Sequence, residues 1–149
     1  MTLAYVGLGA NLGDREATIR LAAARIGARR LSTIRETEPW GVREQPLFLN
    51  AVAELDTNLV PKALLEHLLE VERALGRTRE GARFGPRTID LDLLLYGANE
   101  VREPSLTVPH PHLHERVFVL EPLAELDPHL VVPGLGDVSS LLRGLQSAT

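Results

Sequence analysis

Residues 2–8, Thr-Leu-Ala-Tyr-Val-Gly-Leu, form an apolar, partly β-branched run that breaks at Gly9 and Asn11, the pattern of a buried strand followed by a turn. Asp14 then stands as an N-cap, and Ile19, Ala22, Ala23 and Ile26 recur at helical spacing, which predicts a helix over 15–29. A weak alternation over 31–38 predicts a second strand. Pro39, Gly41 and Pro46 make 39–46 a loop. Strand character returns over 47–56. Pro61 opens a second helix with an apolar stripe at Leu64, Leu68, Val71 and Leu75, stopped by Gly76.

After a Gly- and Arg-rich loop at 77–87, residues 88–96 form the clearest later strand. Gly97-Ala98-Asn99 reads as a hairpin turn toward a short partner near Val101. Pro104, Pro109 and Pro111 mark an irregular stretch. A helix is expected over 116–126 despite Pro122, then a short strand at Leu130–Val132 and a last helix over 137–145. The order β-α-β-β-α-β is that of an α+β, ferredoxin-like sandwich: a mainly antiparallel sheet, helices on one face, and C-terminal elements added at an edge.

Composition narrows the function classes. At 149 residues the chain fits one domain, 1–149, and 44% hydrophobic residues with 4% aromatics imply an aliphatic core. The absence of cysteine excludes disulfides, thiol catalysis and cysteine-held metals. The start MTLAYVGLGANLGDRE lacks the basic opening and long apolar run of a signal peptide, and no segment is apolar enough to span a membrane. A cytoplasmic protein with no membrane association is expected. A net charge of −4 argues against nucleic-acid binding.

The chemistry concentrates at Asp90-Leu91-Asp92. Alternation places both acids on one face of a strand, with Ile89, Leu91 and Leu93 on the other. Paired carboxylates repel and are costly to desolvate unless a cation joins them, and Mg²⁺ commonly takes one or two carboxylates plus phosphate and water. Spacing alone leaves this reading beside a blander one, the solvated face of an edge strand. The preceding segment, Gly76–Arg87, carries four arginines against one acid. Guanidinium groups neutralise phosphate with forked hydrogen bonds, so loop and diacid together favour a metal–polyphosphate ligand.

Other patterns compete. Gly7-Leu8-Gly9-Ala10-Asn11-Leu12-Gly13 approaches a dinucleotide fingerprint, but its third glycine falls one residue late. No G-x-x-x-x-G-K-[S/T] phosphate loop occurs. The alternate histidines His110, His112 and His114 fit surface or phosphate-contacting roles better than a histidine-only zinc site. Phe48 and Asn50 share a strand face, offering a stacking surface and an amide donor–acceptor pair to a flat heterocycle.

These motifs resemble the 6-hydroxymethyl-7,8-dihydropterin pyrophosphokinase family over nearly the whole chain. The matching segments are Ala4–Gly13, Gln45-Pro46 through Ala51, Leu75-Gly76-Arg77, Arg83–Leu93 and Leu106–His110. The resemblance implies transfer of pyrophosphate from ATP to the pterin hydroxymethyl group, giving AMP, in folate biosynthesis by a monomer. It implies two Mg²⁺ ions held by Asp90 and Asp92, with Arg77 and Arg87 joining these acids as catalytic residues. Glu72, Arg77, Arg79, Arg83, Phe84, Arg87, Leu93, Thr107, His110 and Arg116 match ATP-binding positions. Thr37, Trp40, Gly41, Phe48, Asn50, Asp90 and Phe118 match pterin-binding positions, with Phe48 and Phe118 sandwiching the ring. The chain departs from the common pattern at Phe84 (usually Trp), Phe48 (often Tyr), Glu38, Trp40, Glu80 and Pro111. A different class, a non-catalytic ferredoxin-like module binding nucleotide or RNA, would want exposed aromatics and a basic face, which this composition does not supply.

Overall fold

A computed structural model describes residues 1–11, 13–37, 48–76 and 89–147. Its central sheet is built from β1 (Thr2–Ala10), β2 (Ala28–Leu31), β3 (Arg35–Thr37), β4 (Phe48–Thr57) and β5 (Asp90–Tyr96). The strand order is β2-β4-β1-β5, with β3 also pairing β4, and all of these pairings are antiparallel. Merging β2 and β3 into one broken strand gives the ferredoxin-like order expected from the sequence. Among the described residues β5 is therefore an edge strand, and β1 lies inside the sheet.

Alternation along β1 divides the core in two. Ala4, Val6, Leu8 and Ala10 join Ala51, Ala53, Leu55, Leu91 and Leu93 beneath α1 (Arg15–Ile26) and α2 (Pro61–Gly76). On the opposite face Tyr5, Val52 and Leu94 meet Val119, Leu120 and Leu123 of α3 (Val117–Leu126), together with Val138 at the start of α4 (Val138–Ser147). The expectation that the C-terminal elements sit at an edge is thus corrected: they cover the second face. Helical periodicity reveals that α3 has an apolar stripe, but not which side of the sheet receives it. Pro122 is accommodated within α3 rather than ending it.

Three boundaries also shift. α1 stops at Ile26, not residue 29, because Gly27 takes a left-handed conformation (φ 84°) and its N–H satisfies carbonyls of the last turn. The expected 31–38 strand is two pieces. Between them Ser32 is buried, donating its N–H to the Val52 carbonyl at 2.9 Å and accepting the Val52 N–H on its hydroxyl at 2.9 Å. The partner expected for β5 near Val101 instead forms β6 (Val101–Glu103), paired with β7 (Leu106–Val108) in a separate ribbon. The outer edge of β5 is already engaged: Glu72 accepts the Leu91 N–H, and the His110 N–H donates to the Leu94 carbonyl. A last hairpin, β8 (Val131–Val132) with β9 (Gly136–Asp137), precedes α4. Among the described residues no helix is long and apolar enough to cross a membrane.

Candidate active site

The site lies at the end of the sheet where β1 carries no side chains on one face. Gly9 stands opposite both Asn50 on β4 and Asp90 on β5, and Gly7 stands opposite Asp92. Together with the α3 side of the sheet they floor a cavity of about 250 Å³, walled by Thr37, Phe48, Asn50, Asp90, Arg116 and Phe118. A side chain at Gly9 would crowd this wall, because its Cβ would lie 3.0 Å from Asn50 Oδ1. The glycines that mimic a dinucleotide fingerprint therefore keep a strand face open. Alternate glycines in a strand pattern were the available signal, hidden by the lookalike.

Two contacts orient side chains around this cavity. Asn50 Nδ2 donates to the Thr37 hydroxyl across the β3–β4 pairing, which orients the amide. The Arg116 guanidinium stands over the Phe118 ring, 5.7 Å from its centroid, a cation–π contact. Arg116, expected with the triphosphate, thus lines the same cavity as the residues expected to hold the pterin.

A second cavity, of about 420 Å³, opens on the outer side of β5. Its walls include Leu65, Leu69, Glu72, Leu93, Thr107 and His110. Glu72, Leu93, Thr107 and His110, expected near nucleotide, are brought together here, whereas Leu65 and Leu69 on α2 went unrecognised because their spacing reads as ordinary helix core. Asp90 and Asp92 line both cavities. Both acids are exposed, and among the described residues Asp92 has no hydrogen-bond or ion-pair partner.

His110 adds a ring donor held in a partly buried place. Burial pushes its pKa below the ordinary histidine value, against the opposing pull of Asp92, while Arg116 and His112 push the same way as burial. The His112 N–H donates to His110 Nδ1 at 3.1 Å, so the proton of the neutral ring sits on Nε2. His112 pairs instead with Glu115, at 3.2 Å. Among the described residues no three His, Asp or Glu side chains cluster as a metal site. Trp40, Gly41, Arg77, Arg79, Arg83, Phe84 and Arg87 lie outside the described residues.

A paired-acid strand bordering two cavities, on a ferredoxin-like antiparallel sheet, defines the class: an α+β protein whose two cavities meet at a dicarboxylate. The comparisons narrow this further. Residues 5–128 match the model of the 7,8-dihydro-6-hydroxymethylpterin-pyrophosphokinase (HPPK) family, and the chain belongs to that family. A Methylorubrum extorquens protein named 2-amino-4-hydroxy-6-hydroxymethyldihydropteridine pyrophosphokinase is 48% identical, over 90% of this chain and 88% of its own length. A Bacillus subtilis protein of the same name is 46% identical, over 83% of this chain and 77% of its own. The fold also matches a Plasmodium falciparum HPPK-DHPS crystal structure with a TM-score of 0.77, at 12% identity, covering 98% of this chain and 46% of that one.

Proposed function

We propose that the cavity between Phe48 and Phe118 takes the pterin, that the cavity outside β5 takes ATP, and that Asp90 and Asp92 hold two magnesium ions where the cavities meet. The reaction is the family's, pyrophosphoryl transfer to 6-hydroxymethyldihydropterin in folate biosynthesis. The observation that carries the assignment of sites is that Asp90 and Asp92 line both cavities. Hard carboxylate oxygens, with room left for water and phosphate, fit Mg²⁺. Magnesium bound there would neutralise triphosphate charge and lower the pKa of the pterin hydroxyl.

The chain's own contribution is placement and charge. Phe48 and Phe118 offer the pterin two ring faces, and Asn50, oriented by Thr37, offers its edge a donor and an acceptor. Glu72, Leu93 and Thr107 border the nucleotide, while His110 offers a ring N–H at Nε2 toward phosphate. Arg116 supplies positive charge on the pterin side of the diacid. Arg77 and Arg87 act with Asp90 and Asp92 as catalytic residues, and Arg79, Arg83 and Phe84 complete the nucleotide contacts. Trp40 and Gly41 complete those to the pterin. The hydroxymethyl oxygen bonds to the β-phosphorus, the bond from that phosphorus to the α-phosphate bridging oxygen breaks, and the hydroxyl proton is released as AMP departs. Alignment and exclusion of water supply most of the acceleration for such a transfer.

Identification of the adenine nucleotide formed from ATP, Mg²⁺ and the reduced pterin tests the reading. AMP with pterin diphosphate is the expected result. ADP with a pterin monophosphate would replace it with an ordinary kinase.

A further inference from the structure

We propose that Glu72 is a positioning residue that fixes the relative placement of Asp90 and Asp92 by gripping the β5 edge between them. The proposal rests on the reading that these two acids hold the metal. Leu91 separates them and turns its own side chain into the core, where it is 5% exposed. Its N–H faces the outer side of β5, where among the described residues no further strand pairs with it. Glu72 Oε2 accepts that N–H at 2.8 Å. The peptide so held is the one joining Asp90 to Leu91, so the bond acts directly on the backbone from which one metal-binding side chain springs.

The clamp itself is anchored. Glu72 is only 9% exposed and sits on α2 beside Leu64, Leu68 and Val71, which pack that helix onto the sheet. Farther along the same edge the His110 N–H donates to the Leu94 carbonyl at 2.9 Å, giving the strand a second tie. A third carboxylate beside two others is electrostatically unfavourable, and hydrogen bonding to a backbone donor offsets part of that cost. Such supporting contacts typically set metal affinity by about 10–100-fold.

Two variants separate the bond from the packing. Glu72→Gln keeps an oxygen acceptor, whereas Glu72→Met keeps comparable bulk without one that serves an amide. Mn²⁺ binding in the presence of a non-hydrolysable ATP analogue is read by electron paramagnetic resonance, and exchange of the Leu91 amide is read by NMR in the metal-free protein. Expected results are a loss of Mn²⁺ affinity of about tenfold or more in Glu72→Met, faster Leu91 exchange, and restoration of both by Glu72→Gln. Unchanged Mn²⁺ affinity and exchange in Glu72→Met would overturn the clamp, provided that Asp92→Ala loses Mn²⁺. If Asp92→Ala binds Mn²⁺ as the parent does, the metal reading fails and the clamp falls with it.

Discussion

Two ends of one sheet face treat acidic side chains in opposite ways. At one end Glu54, only 3% exposed, accepts hydrogen bonds from Tyr5 at 2.7 Å and from Arg30 at 2.9 and 3.0 Å. Arg29 Nε lies 3.2 Å from Oε1, one of the two oxygens that Arg30 holds. Arg30 also donates to the Leu126 carbonyl at 2.8 Å, tying β2 to the end of α3. At the other end Asp90 and Asp92 are exposed, face glycines across the ladder, and border open cavities. Glu54 is an acid whose partners the protein supplies itself. The two aspartates instead stand at the rims of both cavities. The strands are shared; what differs is the side chain on the neighbouring strand, Tyr5 at one end and Gly7 and Gly9 at the other.

The largest effect should come from removing an acid at the open end. Asp92→Ala is expected to lower kcat by more than about a hundredfold, since direct ligands matter more than the contacts that support them. Its thermal midpoint should stay within about 2 °C of the parent, as for an exposed side chain with little to lose. Glu54→Ala should do the reverse. Urea denaturation should give a loss of about 1–3 kcal/mol, chiefly from leaving the buried Tyr5 hydroxyl without its acceptor, while the folded variant still makes AMP. A stable Glu54→Ala or an unstable Asp92→Ala would erase the contrast between the two ends.

A smaller change probes the glycine floor. Gly9→Ala places a methyl group against Asn50 Oδ1, and steady-state kinetics should show the pterin KM raised about tenfold with the ATP KM little changed. The smallest effect is in pH. Hydrogen bonds from Arg30, helped by Tyr5, hold the Glu54 carboxyl below the usual carboxylate range despite the contrary effect of burial. Its folded pKa therefore lies under its unfolded value of about 4.3, so its contribution is complete above that pH and is lost as pH falls through the folded value. Denaturation midpoints measured below about pH 4 should drop more steeply for the parent than for Glu54→Gln.

Local signals carried much of this architecture. The β-branched run at 2–8, the Asp14 cap and the α2 stripe each announced an element, and Asp14 does accept the Ala17 N–H. Asp90 and Asp92 were legible because strand alternation forces them to one side. What stayed hidden depends on distant partners. Tyr5, Arg30 and Glu54 meet across separations of 49 and 24 residues, for which no periodicity exists. Glu72 entered through family resemblance, but its bond to Leu91 requires knowing that β5 is an edge. Gly7 and Gly9 were visible, but local spacing offered only an imperfect dinucleotide fingerprint, whereas their use here is to keep a strand face bare.

Calorimetry with a non-hydrolysable ATP analogue, with and without magnesium, tests most directly whether the acids at the cavity junction act through a cation. Binding should be strong with magnesium, weak without it, and weak in both conditions for Asp92→Ala. Equal binding with and without the metal in the parent protein would contradict the account.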